Sequence, residues 1–336
     1  MRRLFFVPQY PTNLRYQEWW FKEIPYNLSE YFDDKVVVLG SSLITNPESK
    51  LRPPSFGEFS VDPTVAMEFE MEQIKQFLLY GIGDDDYLFL SDISYPGLFA
   101  NVLYHMPVKN AYAFCHATAI NNLDYYWMKG VSDEKWWAEI AHFGLFKKVF
   151  VASEYHKDKL EKMSEARGWE IDNVEVIGFP PTPDRLKINT DCTTQHEIIS
   201  VARMNPQKVD IELELQVERA LGIKIERTSE RNLESWEEYF DFISRSKVML
   251  ITSQEETFGI QVMDAIDNGC IPIAPKAFSY PELLTKDYLY KIGDFQGLLK
   301  KIQRALKDGT KLPQLQNKQL IENFYKLVAF HMGVLE

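Results

Sequence analysis

Six short apolar runs in the first half of the chain alternate with stretches of helical spacing. No other feature constrains the fold as strongly. The runs are FFVPQY from Phe5, VVVLG from Val36, YLFL from Tyr87, YAFC from Tyr112, VFVAS from Val149 and VEVIGF from Val174. Most lack the polar alternation of a half-wet strand, so they read as strands covered on both faces. Strands alternating with helices predict a doubly wound parallel sheet. The Pro-rich segment Pro180-Pro181-Thr182-Pro183 breaks the pattern and marks a domain boundary. Beyond it the pattern resumes at His196–Ala202, Ile223–Glu226, Val248–Ile251 and Ile271–Ala274. The chain of 336 residues is therefore expected to hold two α/β domains, 1–180 and 190–317, with a last helix within 318–336 packing back on the first.

Between the strands, helices are expected at Arg15–Phe21, Val65–Tyr80, Ser132–Phe146 and Glu154–Arg167. In the second of these Met67, Met71, Ile74, Phe77 and Leu78 form a stripe at core spacing. Ser132 and Asp133 look like a helix cap, and Trp19-Trp20 reads as packing. Residues 45–64, rich in Pro, Ser and Gly, read as a long surface loop. Asp84-Asp85-Asp86 lies at the amino end of a strand, away from the ligand edge, and reads as a solvated turn.

The chemistry concentrates between Ile251 and Leu284. A buried strand ends at Ile251, and Ser253-Gln254-Glu255-Glu256 follows. Phe258 and Gly259 lead into a helix with Ile260, Met263 and Ile266 on one face, closed by Gly269. This is a βαβ unit whose loop lies at the carboxyl end of a parallel strand, where open sheets bind ligands. Gly259 permits close backbone approach, and the N–H groups at the helix start suit a phosphate. Glu256 and Asp264 would repel phosphates, so they read as acceptors from hydroxyls. Taken alone, Glu256 reads as a helix cap and Asp264 as a solvated helix residue; the ordered combination points to the ligand. A ligand with central phosphates and hydroxyl-rich ends is a nucleotide sugar.

The pattern S-x-x-E-T-F-G-x-x-x-x-D from Ser253 to Asp264, then Gly269, Pro272 and Pro281-Glu282, resembles the E-x(7)-E signature of GT-B retaining glycosyltransferases, glycosyl transferases group 1 and family 4-like. The resemblance implies two Rossmann-like domains facing across a cleft. It implies transfer of a sugar from a nucleoside-diphosphate donor to an acceptor hydroxyl, with retention. Glu256 would hold the sugar and Asp264, one methylene shorter than the family's glutamate, the ribose. Phe258, Gly259 and Ile260 would line the donor.

Arg203 and Lys208, in Arg203-Met204-Asn205-Pro206-Gln207-Lys208, keep the family's R-x(4)-K spacing without its flanking glycines. They would neutralise the departing diphosphate. The alternative is two surface cations on a polar loop. His116, at the carboxyl end of its strand, resembles the histidine that contacts the donor sugar. The family's Gly-Gly pair is absent from the first loop, so Arg15 is either a replacement anion contact or an exposed helix residue. Asp92, Asn121 and Tyr125 are candidates for acceptor contact because they lie at or near the ligand edge. Between the basic loop and the acidic motif only Ile211–Leu221 and Ile223–Glu226 precede Leu233–Ser244, so the second domain is trimmed.

Charge and composition bound the partners. Net charge −12 argues against extended wrapping of nucleic acid. No apolar run reaches the ~20 residues of a membrane span. Met1–Pro8 reads as a strand, its apolar run being too short for a signal peptide. Cys115, Cys192 and Cys270 have no metal-ligand spacing, which points to a reducing cytoplasm. No cofactor and no metal are expected, and the donor is expected to be UDP- or GDP-linked. Glycan, lipid, small-molecule and phage-type hydroxylated-DNA-base acceptors all stay open, as does a nucleotide- or sugar-binding module without turnover.

Overall fold

The computed structural model describes residues 2–12, 15–45, 63–123, 125–186, 194–202, 205–231, 233–307 and 309–335. The chain divides into two compact units, Met1–Pro180 with Asn323–Glu336, and Pro181–Glu322.

The first unit is built on six parallel strands, β1 (Leu4–Val7), β2 (Val36–Val38), β3 (Tyr87–Leu90), β4 (Ala111–Phe114), β5 (Lys148–Val151) and β6 (Val174–Val176). Their spatial order is β2-β1-β3-β4-β5-β6. Leu4, Phe5 and Phe6 of β1 sit opposite Val36, Val37 and Val38 on one side and Tyr87, Leu88 and Phe89 on the other. The chain thus leaves β1 in one direction to make β2 and returns past it to make β3. That reversal puts a topological switch point between β1 and β3. Strands β1, β3 and β4 are buried along their whole length, because helices cover both faces.

The second unit holds β7 (His196–Ser200), β8 (Ile225–Arg227), β9 (Ser246–Leu250), β10 (Ile271–Pro275) and β11 (Leu289–Tyr290), in the order β11-β10-β9-β7-β8 and all parallel. Here the switch point falls between β7 and β9. Val248, Leu250, Ile271 and Ile273 of the central strands pack with Leu298 and Ile302 of the helix Phe295–Ala305 as the core.

Several helices depart from expectation. The first runs Tyr16–Ser29, through Pro25, because Trp19, Trp20, Ile24 and Leu28 bury a continuous face that outweighs the lost amide bond. In Pro63–Tyr80 the expected stripe is not the core. Met67, Met71 and Leu78 are exposed, Met71 by 61%, while Ala66, Phe69, Gln73 and Phe77 face inward. The helix Ser132–Phe143 has Val131 at its cap position and no side-chain cap bond, so Ser132 does not cap it. Asp133 pairs with Arg167 instead. Asp86 is buried rather than solvated, with its carboxylate taken by the guanidinium of Arg3 and the N–H of Gly83. The C-terminal helix is broken at Asn323 into Lys318–Glu322 and Phe324–His331. Phe324 packs on Trp20 and Phe114, and Tyr112 donates to the carbonyl of Met332, fastening this tail to the first sheet. The 45–64 loop and Cys192 lie outside the described residues, apart from Thr45 and the residues from Pro63 on.

Candidate functional site

In the second unit, the loops that leave β7 and β9 meet at the switch point. The N–H groups of Gln254 and Glu255 donate to the carbonyl of Gln207 at 2.8 and 3.3 Å. Ser253 donates to the carbonyl of Lys208 at 3.2 Å, and the Asp210 N–H donates to Thr252 at 3.0 Å. These bonds bring the two chemical residues together. Lys208 Nζ lies 3.0 Å from Glu256 Oε2, with side-chain exposures of 16% and 13%. Burial alone would push the Glu256 carboxyl up. The Lys208 ammonium and the N–H groups of Phe258 and Thr257, donating to Oε1, outweigh it and hold the carboxyl below its ordinary value. Glu256 is therefore an ionised acceptor, and Lys208 a cation fixed beside it. Arg203, expected as the second cation, lies outside the described residues.

Gly259 opens the helix Ile260–Asp267 at φ +100°, a conformation that disfavours side chains. A Cβ there would lie 2.9 Å from the ring of Tyr280. The glycine is thus required by the close approach of Tyr280, where the sequence suggested room for a ligand. No side chain caps this helix start. Phe258 is buried, and Ile260 is partly exposed at the first helical position. The buried face comprises Val262, Met263, Asp264 and Ala265, so the expected line of Ile260, Met263 and Ile266 is rotated.

Asp264 is not a solvated helix residue. It is 6% exposed, and Tyr239 donates to its Oδ2 at 2.9 Å. Burial raises its carboxyl from 3.8 to about 7. The folded chain therefore binds more protons than the unfolded chain between those values, and stability falls as pH rises through that window. Asp264→Asn is expected to remove this fall, raising neutral-pH stability relative to acidic. Denaturant midpoints at about pH 5 and about pH 8 check it, and an unchanged difference between the two contradicts it.

The candidates of the first unit lie along the carboxyl ends of β1, β3 and β4. His116 donates through Nε2 to the carbonyl of Ser91 at 2.9 Å. Its ring packs against Tyr16, Trp20 and Phe114, and burial pushes its pKa down to about 3. It is neutral at physiological pH, and the Nε2 bond leaves Nδ1 as the acceptor nitrogen. Tyr16 reaches Gln9 Oε1 at 3.5 Å, and Gln9 Nε2 donates to Asp92 Oδ2. His116 and Asp92 are thus joined through Tyr16 and Gln9. Asp92 Oδ1 also accepts from the Ser94 N–H.

Asn121 is 1% exposed, and its Oδ1 closes a turn on the N–H of Thr118 at 2.8 Å, which places it inside the fold. Tyr125 begins the short helix Tyr125–Met128, and its side chain lies outside the described residues. Arg15 is the partly exposed residue before the first helix. Among the described residues no cluster of His, Cys, Asp or Glu could hold a metal ion. Cys115 and Cys270 are buried and unpaired.

Sequence reasoning missed Tyr239, Tyr280, Tyr16 and Gln9. Tyr280 donates to Ser253 at 3.0 Å while packing against Gly259. A signal existed for both buried tyrosines, since a tyrosine rather than a phenylalanine at a core position needs a partner for its hydroxyl.

The model of the family described as Glycosyl transferases group 1 matches residues 224–326. The tRNA-queuosine alpha-mannosyltransferase of Drosophila melanogaster is 32% identical over 91 residues, 26% of this chain and 22% of that protein. The chain therefore spans about a fifth of the curated relative it matches. Among solved structures, a UDP-forming α,α-trehalose-phosphate synthase of Burkholderia xenovorans superposes with TM-score 0.62 at 11% identity, covering 99% of both chains. TarM of S. aureus, solved with UDP, gives TM-score 0.51 at 16% identity, covering 78% of this chain and 55% of its own. Residues 224–326 thus resemble the glycosyl transferases group 1 family, and the chain has the GT-B fold of two Rossmann-like sheets. Among the described residues no helix is long and apolar enough to cross a membrane.

Proposed function

We propose that the chain moves a sugar from a nucleoside-diphosphate donor, UDP- or GDP-linked, to an acceptor hydroxyl, with retention and without a metal cofactor. The observation that carries this reading is the Lys208–Glu256 pair at the switch point of the second unit, with Glu256 inside residues 224–326, which match the family model. In the resting protein each charge satisfies the other. A donor diphosphate offers Lys208 a second anion, and the sugar hydroxyls offer Glu256 donors. Lys208 then stabilises the charge that grows on the leaving diphosphate, the role a divalent cation fills elsewhere. Glu256 orients the sugar, and Asp264, steadied by Tyr239, faces the ribose once it is ionised. Arg203 adds a second cation to the diphosphate.

The test is donor hydrolysis with acceptor absent. Wild type is expected to release nucleoside diphosphate slowly from one of UDP-glucose, UDP-N-acetylglucosamine or GDP-mannose, and Glu256→Ala to lose that release. Binding of a donor with no turnover under any condition would favour the non-catalytic module.

A hydroxylated base on nucleic acid is the second reading of the acceptor. It is favoured by the name of the Drosophila relative, which acts on queuosine in tRNA. Label transferred from donor into added tRNA or DNA would support it, and label confined to small molecules would count against it. A reducing compartment accords with the two buried, unpaired cysteines.

A further inference from the structure

Between Lys286 and Lys311 the sequence holds seven Lys and Arg against three Asp and no Glu, in a chain whose net charge is −12. The fold gathers this charge at one place. The helix Phe295–Ala305 buries Leu298, Leu299, Ile302 and Ala305. Its opposite face carries Lys300 and Arg304, and Lys307 follows in the same line at spacings of four and three, all exposed. Lys301, at the flank, donates through Nζ to the carbonyls of Lys286 and Asp287 at 2.9 and 3.1 Å. That ties the helix to the turn Lys286–Tyr288, which precedes the edge strand β11. Tyr288 in turn donates to the carbonyl of Lys311 at 2.8 Å, and Thr310 donates to the carbonyls of Arg304 and Lys307, both at 2.9 Å. Three segments thus bring Lys286, Lys300, Arg304, Lys307 and Lys311 together at one exposed corner of the second unit.

Ordinary surface chemistry explains part of this. Cations in the last turn complement a helix dipole, which covers Arg304 and Lys307. It does not cover Lys286 or Lys311, which stand on other segments. Asp287 answers one of the charges, 3.4 Å from Arg304. Asp294 is spent at the far end of the helix, where it accepts from the Gly297 N–H at 2.9 Å. The remaining cations repel one another, and a bound polyanion reverses the sign of that interaction.

The composition of the corner selects the class of polyanion. Interfaces between proteins are poor in Lys and anchor on buried Trp, Tyr and Arg, whereas this corner is mostly Lys. A helix lying in a membrane surface turns its apolar face to lipid, and here that face is packed in the core. A phosphodiester backbone needs neither an apolar anchor nor a buried pocket. Solvated Lys and Arg neutralise it directly. The turn Lys286–Tyr288 enters β11, so the corner lies at the amino ends of the parallel strands. Lys208 and Glu256 meet at the opposite, carboxyl ends, so the corner can be altered without touching them.

We propose that this corner of the second unit binds the phosphodiester backbone of a nucleic acid without reading its sequence. The proposal rests on the second reading of the acceptor for what that nucleic acid supplies, and its binding is measured apart from the reaction.

The experiment is fluorescence-anisotropy titration of the full chain with labelled total tRNA at several salt concentrations. The slope of log K on log salt is expected to lie between about −3 and −5, which corresponds to about four to six phosphate contacts. Lys300→Gln, Arg304→Gln and Lys307→Gln, combined, are expected to make that slope shallower by about two. They should weaken binding at least about tenfold at ~0.1 M salt. A control combines Lys157→Gln, Lys159→Gln and Lys162→Gln on the helix Glu154–Glu165 of the first unit. It removes the same charge and should leave the affinity within about twofold, since the effect is local rather than one of net charge. Affinity for UDP and GDP is expected to be the same in all three proteins. No binding of tRNA, an equal loss in the two triple variants, or tighter binding to phosphatidylserine vesicles than to tRNA would overturn the proposal. Binding of tRNA through this corner with no donor hydrolysis would instead sink the glycosyl-transfer reading and leave the surface standing.

Discussion

Lys208→Ala is expected to lower kcat for sugar transfer by about 10²–10³-fold, the usual cost of removing a fixed group that stabilises transition-state charge. It is also expected to destabilise the protein. Glu256 would keep its buried position and its two backbone donors but lose its cation. Breaking a buried ion pair from one side costs roughly 3–5 kcal/mol, and the partial exposure of this pair places the cost toward the lower end of that range. The two effects separate in a double variant. Lys208→Ala with Glu256→Gln removes the uncompensated charge, so most of the stability should return while transfer stays lost. Recovery of both stability and rate would show that Lys208 only neutralises Glu256 and does not act on the diphosphate. Denaturant midpoints and single-turnover rates measure the two quantities.

The second large effect lies one layer beneath the site. Glu214 is wholly buried, and the Arg227 guanidinium, 7% exposed, donates to it at 2.7 Å. Arg227 also pairs with Glu218 and Glu230. Glu214 in turn reaches Thr252, which accepts from the N–H of Asp210, so the network underpins both loops that carry Lys208 and Glu256. Arg227→Leu would strand Glu214 and is expected to cost about 3–5 kcal/mol. Adding Glu214→Leu should restore much of that, since two apolar residues can replace a buried pair. Donor affinity is expected to fall in the single variant and recover in part in the double. A single variant with an unchanged denaturation midpoint would contradict this account.

These cases show why some of the structure was legible and some was not. The strands announced themselves because Leu4–Val7, Tyr87–Leu90 and Ala111–Phe114 are buried on both faces and so carry almost no polar residues. That Glu256 and Lys208 come together was legible because strand ends and the family spacing put both on the same edge. The core face of Pro63–Tyr80 was not. Its buried residues include Glu70 and Gln73, whose partners are the N–H groups of Leu98 and Phe99 and the carbonyls of Pro8 and Leu39. Nothing local marks those partners, so the competing stripe through Met67 and Met71 looked more apolar. Asp86 was misread for the same reason, its cation standing 83 residues away at Arg3. Pro25 suggested a shorter helix, but the packing of Trp19, Trp20, Ile24 and Leu28 decided the matter. The role of Asp264 was half legible. Its place on the helix after Glu256 could be read from the spacing, while its burial under Tyr239 depends on a helix more than twenty residues earlier.

The central claim is that Glu256 and Lys208 form a nucleotide-sugar site, and thermal unfolding with UDP, GDP, ADP and their sugars, on wild type and Glu256→Ala, tests it most directly. A ligand at about one hundred times its dissociation constant adds ~2.7 kcal/mol, a readable shift. One nucleoside diphosphate is expected to stabilise both proteins, because Lys208 remains in each. Its sugar is expected to add further stability in wild type alone. No shift of wild type with any of these ligands, or an equal gain from the sugar in both proteins, would contradict the account.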